Sequence, residues 1–171
     1  MRERRAVGNS LAFRTRYTYA MPRYNFSRPA LSVDIVLVAG PPHAREVLLV
    51  LRRFDPYSGE WALPGGFVEE GERLRDAVLR ELAEETGVEW DGPMQQVAAY
   101  GDPGRDPRGW TVSVAWVADA GESPPSAVGG DDAAEAAWHR LDDLPRLAFD
   151  HSGMIVDALS VLGIDGSSPG H

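Results

Sequence analysis

Cysteine and lysine are both absent from this sequence of 171 residues. Without cysteine the chain has no disulfide bond, no thiolate nucleophile and no cysteine-zinc site. Without lysine it has neither a Walker A phosphate loop nor a Schiff base, and all 17 basic residues are arginine. The lack of cysteine is compatible with a reducing cytoplasm, and a cytoplasmic location is our expectation.

Long hydrophobic runs are also missing, so we expect no membrane-spanning segment and no membrane partner. The basic start of the chain is not followed by the apolar run that a signal peptide needs. The net charge of −9 argues against a nucleic-acid partner, because phosphate contacts require clustered cations. The length and the 43% hydrophobic content are typical of one soluble globular domain.

Residues 1–29 differ from the rest, since seven arginines and five aromatic residues are interleaved there with a single acid, Glu3. One interpretation is a partly disordered arm. The other is an ordered segment that packs on the domain or on a second subunit of a homodimer and brings cations to an anionic substrate. The aromatic content favours order from about residue 17. We therefore predict an arm at 1–29, a domain at 30–164 and a tail at 165–171.

Hydrophobic periodicity predicts strands before and after a central helix, with a second helix near the end. Asp150 or Ser152 is expected to cap the second helix, and His151 to have a capping or packing role. This order of elements indicates an α/β sandwich. The predicted strands are residues 31–39, 46–51, 94–100, 110–119 and 136–141, and the central helix is residues 73–86.

The central helix carries an acidic cluster beside its apolar stripe. Glu81, Glu84 and Glu85 fall within roughly 100° of one another, at the edge of the stripe that faces the core. Like charges at these spacings repel by about 0.2–0.5 kcal/mol each, near the helix end that disfavours anions. Arg80 can offset one of them, and a bound divalent cation would remove the remaining repulsion.

The stretch from Gly66 to Val88, GFVEEGERLRDAVLRELAEETGV, resembles the Nudix box at every fixed position. The resemblance covers about residues 30–162. It implies the family's α/β/α sandwich with a mixed β-sheet between helices. It also implies Mg²⁺-dependent hydrolysis of a nucleoside diphosphate linked to another group, with Mn²⁺ as the alternative metal.

The resemblance also assigns site residues. The metal ligands are expected to be the Gly65 carbonyl, Glu81 and Glu85, with Glu84 as a further ligand or as the general base. If Glu84 is not the base, a loop acid is expected to fill that role. The candidates for that acid are Glu135 and Asp132, and the positions with structural roles in the motif are Gly66, Glu72, Arg80 and Gly87.

Four arginines outside the box are candidates for binding phosphate or carboxylate groups: Arg52, Arg53, Arg105 and Arg108. Solvation of the first pair, and a plain hairpin loop around the second, are equally good interpretations. Pro103 stands fifteen residues after Val88, as in ADP-ribose pyrophosphatases, and this resemblance makes ADP-ribose the expected substrate. The alternatives are a nucleoside triphosphate pyrophosphohydrolase of the MutT type and a non-catalytic ADP-ribose sensor. Related sensors carry a further DNA-binding domain, for which we expect no room in the short tail.

Overall fold

A computed structural model describes residues 25–130 and 133–164 of the chain. Within these residues there are seven strands and two helices. In chain order they are β1 (Ala30–Ala39), β2 (Glu46–Arg52), β3 (Trp61–Ala62), β4 (Gly65–Phe67), α1 (Leu74–Thr86), β5 (Gln95–Tyr100), β6 (Thr111–Asp119), β7 (Ala133–Arg140) and α2 (His151–Leu162).

The strands form one mixed sheet in the order β3-β2-β1-β6-β5, with β4 also paired to β1 and β7 to β2. Strand β1 runs parallel to β6, from Ala30 opposite Thr111 to Val38 opposite Asp119, and its other pairings are antiparallel. Because β1 lies at the centre of the sheet, its apolar run is buried on both faces from Val33 onward.

Each face of the sheet is covered by one helix. Alternate residues of β1, such as Ile35, belong to the core on the α1 side, where Val78 and Leu82 pack. The intervening residues, such as Val36, pack with Met154 on the α2 side. This arrangement confirms the predicted α/β fold with a mixed sheet between helices.

The predicted strands and central helix lie within a few residues of the observed ones, but β3 and β4 were not predicted. Strand β4 is only three residues long and contains Gly65 and Gly66. Glycine is a weak strand former, so the strand exists because β1 pairs with it, Val33 opposite Gly66. This pairing places the two glycines at the acidic face of α1, since α1 also contacts β4.

Two interpretations of the termini lie outside the described residues, namely order in residues 17–24 and a frayed tail at 165–171. The division into arm, domain and tail therefore stays a prediction. Neither helix in the described part of the chain is long and apolar enough to cross a membrane.

Candidate active site

The acids of helix α1 lie near its C-terminal end. Gly87 ends the helix in the left-handed conformation, with φ of 68°, as its position in the sequence predicts. Val78, Leu82 and Thr86 are buried against the sheet. With this stripe fixed in the core, Glu81, Glu84 and Glu85 are held along its border.

Arg80 binds three carboxylates rather than one. Its Nε and Nη2 donate to the two carboxylate oxygens of Glu72 over 2.8 and 2.9 Å. Its Nη1 donates to Glu81 over 2.7 Å and to Glu84 over 3.1 Å. The hydrogen bonds from Arg80 hold the pKa of Glu72 at about 2. Arg80 thus joins the loop before α1 to the acidic face, which is the geometry that a junction role for Glu72 and Arg80 requires.

Glu81 and Glu85 press against the two glycines of β4. A Cβ atom on Gly66 would lie 2.4 Å from a carboxylate oxygen of Glu81, so a side chain there would have to displace the Glu81 carboxylate. The backbone N–H of Gly65 donates to Glu85 over 3.0 Å. Burial is the main cause that raises the pKa of both carboxyl groups, that of Glu85 to about 8. The two acids therefore carry a desolvation cost that a cation would offset.

The donor chemistry of this cluster fits a hard divalent cation, because all three side chains supply carboxylate oxygens. Among residues 25–130 and 133–164, however, no three acidic or histidine side chains are already spaced to enclose a metal ion. Arg80 explains part of this spacing, since one nitrogen of its guanidinium group binds both Glu81 and Glu84. Two of the three acids are thus paired with Arg80 in this arrangement.

A cleft of about 500 Å³ lies over the acidic cluster. Glu81, Glu84 and Glu85 line it, and so do arginines from other elements. Arg53 donates to the carbonyl of Ala133 over 3.1 Å, and Arg52 donates to the carbonyl of Pro56 over 2.8 Å. A cleft lined by carboxylates and by guanidinium groups suits an anionic ligand that is bound together with a cation.

The two arginines of the 101–109 loop have different surroundings. Arg108 is 42% exposed, lines the cleft, and donates hydrogen bonds from Nε and Nη2 to the carboxylate of Asp106, whose side chain is 1% exposed. Its guanidinium carbon lies 4.9 Å from the centre of the Phe67 ring. Arg105 is only 6% exposed and donates two hydrogen bonds to Asp150, over 2.8 and 2.6 Å.

Arg105 therefore fastens its loop to the start of α2 and lines a neighbouring cavity of about 60 Å³ instead of the large cleft. Asp150 occupies the N-cap position of α2, but its carboxylate makes no capping hydrogen bond there. The pairing of this carboxylate with Arg105 accounts for both differences from what the sequence suggested.

Only one of the two candidate loop acids lies among the described residues. Glu135 lies on β7, opposite Leu51 of β2, and its side chain is exposed. It lines neither cavity. Asp132 lies outside the described residues. Its described neighbours reach the site, because the N–H of Gly130 donates to the carbonyl of Glu85 over 3.1 Å and Ala133 lines the cleft.

Sequence reasoning assigned no role in the site to two buried polar residues, one on β1 and one at the start of α2. Asp34, in the middle of β1, is 7% exposed and accepts a hydrogen bond from the hydroxyl of Ser113. His151 is buried, and its Nδ1 accepts the backbone N–H of Leu63 over 2.9 Å. A charged residue inside an apolar strand was an available signal for Asp34. For His151 the sequence carried no signal beyond its place at a helix start.

The chain is similar to known proteins over most of its length. A model of the NUDIX domain matches residues 28–157. The chain is 40% identical over 132 residues to an ADP-ribose pyrophosphatase of Methanocaldococcus jannaschii, covering 77% of this chain and 74% of that protein. It is 33% identical over 144 residues to an ADPR responsive transcriptional repressor of Acinetobacter baylyi, covering 81% of this chain and 56% of the repressor.

Solved structures agree on the fold. The NUDIX domain of Shewanella oneidensis NrtR, complexed with ADP ribose, superposes with a TM-score of 0.73 at 37% identity, covering 80% of this chain and 90% of that domain. A MutT/nudix family protein from Enterococcus faecalis superposes with a TM-score of 0.74 at 35% identity, covering 85% of this chain and 65% of that protein. The chain thus spans only part of the length of some of its relatives.

Proposed function

This chain belongs to the Nudix hydrolase family, and we propose that it hydrolyses the diphosphate bond of ADP-ribose to AMP and ribose 5-phosphate, with Mg²⁺ as the metal. The main observation behind the proposal is that the cleft of about 500 Å³ is lined by the three acids of α1 together with arginines from other elements. The carboxylates are suited to binding the cation, because the cation offsets their desolvation cost. The guanidinium groups are suited to binding the anionic diphosphate.

The residues of the chain have separate roles in this proposal. Glu81 and Glu85 bind the cation, and the carbonyl of Gly65 is the proposed backbone ligand. Arg52 and Arg53 bind phosphate oxygens from the β2 side of the cleft, while Arg108 approaches from the 101–109 loop. A bound Mg²⁺ would neutralise the phosphate oxygens and make the attacking water more acidic. Mn²⁺ is expected to replace Mg²⁺, since both prefer oxygen donors.

The general base is proposed to be Glu84 or a loop acid. Glu84 is the most exposed of the three helix acids, with 46% of its side chain accessible, so it can reach a water molecule in the cleft. Asp132 is supported by its neighbours, because Gly130 and Ala133 both contact the site. Glu135 is less well supported, since its exposed side chain lies outside both cavities.

We propose ADP-ribose rather than another nucleotide as the substrate, mainly because of two similar proteins. The pyrophosphatase of Methanocaldococcus jannaschii bears this substrate in its name, and the Shewanella oneidensis domain was solved with ADP ribose bound. Pro103 adds a smaller argument from its distance after the box. In this proposal Arg108, stacked on Phe67, contacts the ribose or diphosphate end of the ligand.

A second candidate function is binding of ADP-ribose without hydrolysis, as a sensor domain. The observation that favours it is similarity to a repressor that responds to ADPR, over 81% of this chain. The complete set of helix acids favours hydrolysis, because binding a diphosphate by arginines alone would not need three carboxylates in the same cleft.

One experiment separates these functions. The protein is incubated with ADP-ribose and Mg²⁺, bound ligand is measured by calorimetry at short times, and products are identified by ³¹P NMR. Hydrolysis predicts AMP and ribose 5-phosphate in equal amounts, formed about 100-fold more slowly by the Glu81→Gln variant. Binding with no product over many hours would assign the chain to the sensor class. A different pair of products would refute the substrate.

A further inference from the structure

Three consecutive residues at the start of α2 contact three separate segments around the cleft. Phe149 packs its ring against Tyr57, with ring centres 4.7 Å apart, in the loop after β2. Asp150 binds Arg105 of the 101–109 loop. His151 binds the backbone of Leu63, between β3 and β4. The start of α2 therefore fixes parts of the site that are far apart in the chain.

The contact made by His151 has a defined direction. Its Nδ1 accepts the Leu63 N–H over 2.9 Å, so that nitrogen carries no proton. Its Nε2 lies 3.7 Å from a carboxylate oxygen of Asp34, on the opposite side of the ring. The imidazole thus lies between β1 and the segment that leads into β4, and burial lowers its pKa.

The segment held by His151 lies close against β1 and the acids of α1. A Cβ atom on Gly65 would lie 2.3 Å from the carbonyl oxygen of Val33, and one on Gly66 would lie 2.4 Å from Glu81. Gly65 also donates its N–H to Glu85. Gly66 lies against Glu81, and Gly65 is hydrogen-bonded to Glu85. A shift of this segment by a few tenths of an ångström would therefore displace both acids as well.

We propose that His151 is a positioning residue for the metal site: through the N–H of Leu63 it holds Gly65 and Gly66 in the place where Glu85 and Glu81 can bind the cation together. This inference rests on the metal site of the proposed function, but not on the identity of the nucleotide. A residue that only filled space would act through its volume. A positioning residue acts through the acceptor at the δ position of its side chain.

The difference between volume and acceptor gives the test. His151→Asn keeps an acceptor at the δ position but loses volume, whereas His151→Leu keeps most of the volume but loses the acceptor. Tyr100→Phe is the matched control, because the Tyr100 hydroxyl binds Asp157 of the same helix over 2.7 Å on the β5 side. All three proteins are purified in EDTA, and their melting temperatures show whether they are folded.

Binding of Mn²⁺ alone is then measured by electron paramagnetic resonance, without nucleotide. His151→Leu is expected to bind Mn²⁺ about tenfold more weakly than the unmodified protein, as supporting residues of metal sites commonly do. His151→Asn and Tyr100→Phe are expected to stay within about twofold of it. Equal affinities of the Leu and Asn variants, or a weaker Asn variant, would overturn the proposal.

If His151→Leu does not fold, the comparison of His151→Asn with His151→Gln decides, because glutamine moves the acceptor beyond the δ position. The Asn variant should then bind Mn²⁺ at least several-fold more tightly than the Gln variant, and equal binding would overturn the proposal. Because nucleotide is absent, this outcome is independent of whether ADP-ribose is the substrate.

Discussion

Replacing Glu85 with glutamine is expected to stabilise the metal-free protein while removing its activity. The carboxyl group of Glu85 is largely buried and accepts a hydrogen bond from the Gly65 N–H. Glutamine has nearly the same shape and keeps an oxygen to accept that bond. It carries no charge, so it has neither the desolvation cost of a buried anion nor the ability to bind a cation strongly.

The magnitude follows from the pKa of Glu85. Burial is the main cause that raises it from 4.5 to about 8, with help from Glu81 and Asp34. At pH 7 the folded protein keeps a proton there that the unfolded chain has released. Stability is therefore lost as the pH rises from 4.5 to 8. At about 1.4 kcal/mol per unit, the loss at pH 7 is roughly 3 kcal/mol.

The assay is urea denaturation in EDTA between pH 4.5 and 8. Glu85→Gln should equal the unmodified protein at pH 4.5 and exceed it by roughly 3 kcal/mol at pH 7. Glu89→Gln, the same change at an exposed position, should show no such trend. Mg²⁺ at 100 times its Kd should add about 2.7 kcal/mol to the unmodified protein and much less to Glu85→Gln. A Gln variant no more stable than the unmodified protein at pH 7 would refute the burial argument.

Three further changes test other parts of the site. Glu81→Gln should lower kcat roughly 100-fold, about 2.7 kcal/mol, in steady-state assays, and near-normal turnover would remove Glu81 from the ligand set. Arg108→Ala should lower kcat/KM about tenfold, mainly through KM, if its guanidinium binds the ligand, and an unchanged KM would show that it does not. Gly130→Ala would place a Cβ 2.6 Å from a carbonyl oxygen of α1 and should lower kcat, whereas Gly153→Ala, which meets nothing within 4 Å, should not; equal kcat values would contradict this.

The loss of folding stability at low pH offers a further test. The pKa of His151 lies below 6.5 in the folded protein, chiefly because of burial and despite the nearby charges of Asp34 and Asp150. The unfolded chain takes up a proton at this histidine below about pH 6.5, and the folded protein does so only at a lower pH. Stability should fall as the pH drops below 6.5, and His151→Asn should reduce that slope in urea denaturation. An unchanged slope would show that His151 does not cause it.

Long periodic segments of this chain could be predicted from the sequence because their packing follows their own pattern. Helix α1 is an example, since Val78 and Leu82 recur at the helical spacing and Gly87 ends the helix. Strand β4 could not be predicted, because its glycines have no strand preference and their conformation depends on pairing with β1, more than 30 residues away in the chain.

Part of the site could also be predicted from the sequence. The acidic face of α1 followed from residue spacing alone, whereas the partners of charged groups did not. Arg105 illustrates this limit, because its pairing with Asp150 joins residues 45 positions apart that only the fold brings together. His151 is a second case, since its hydrogen bond reaches Leu63 over 88 positions.

The most direct test of the proposed activity is a comparison of kcat/KM with Mg²⁺ across a panel of nucleotides. The panel contains ADP-ribose, ATP, dGTP, NADH and diadenosine polyphosphates, each at several concentrations and with Glu85→Gln as the inactive control. We predict that ADP-ribose has the highest kcat/KM and gives AMP and ribose 5-phosphate. If another member exceeded ADP-ribose by tenfold, about 1.4 kcal/mol in transition-state stabilisation, the substrate assignment would be contradicted.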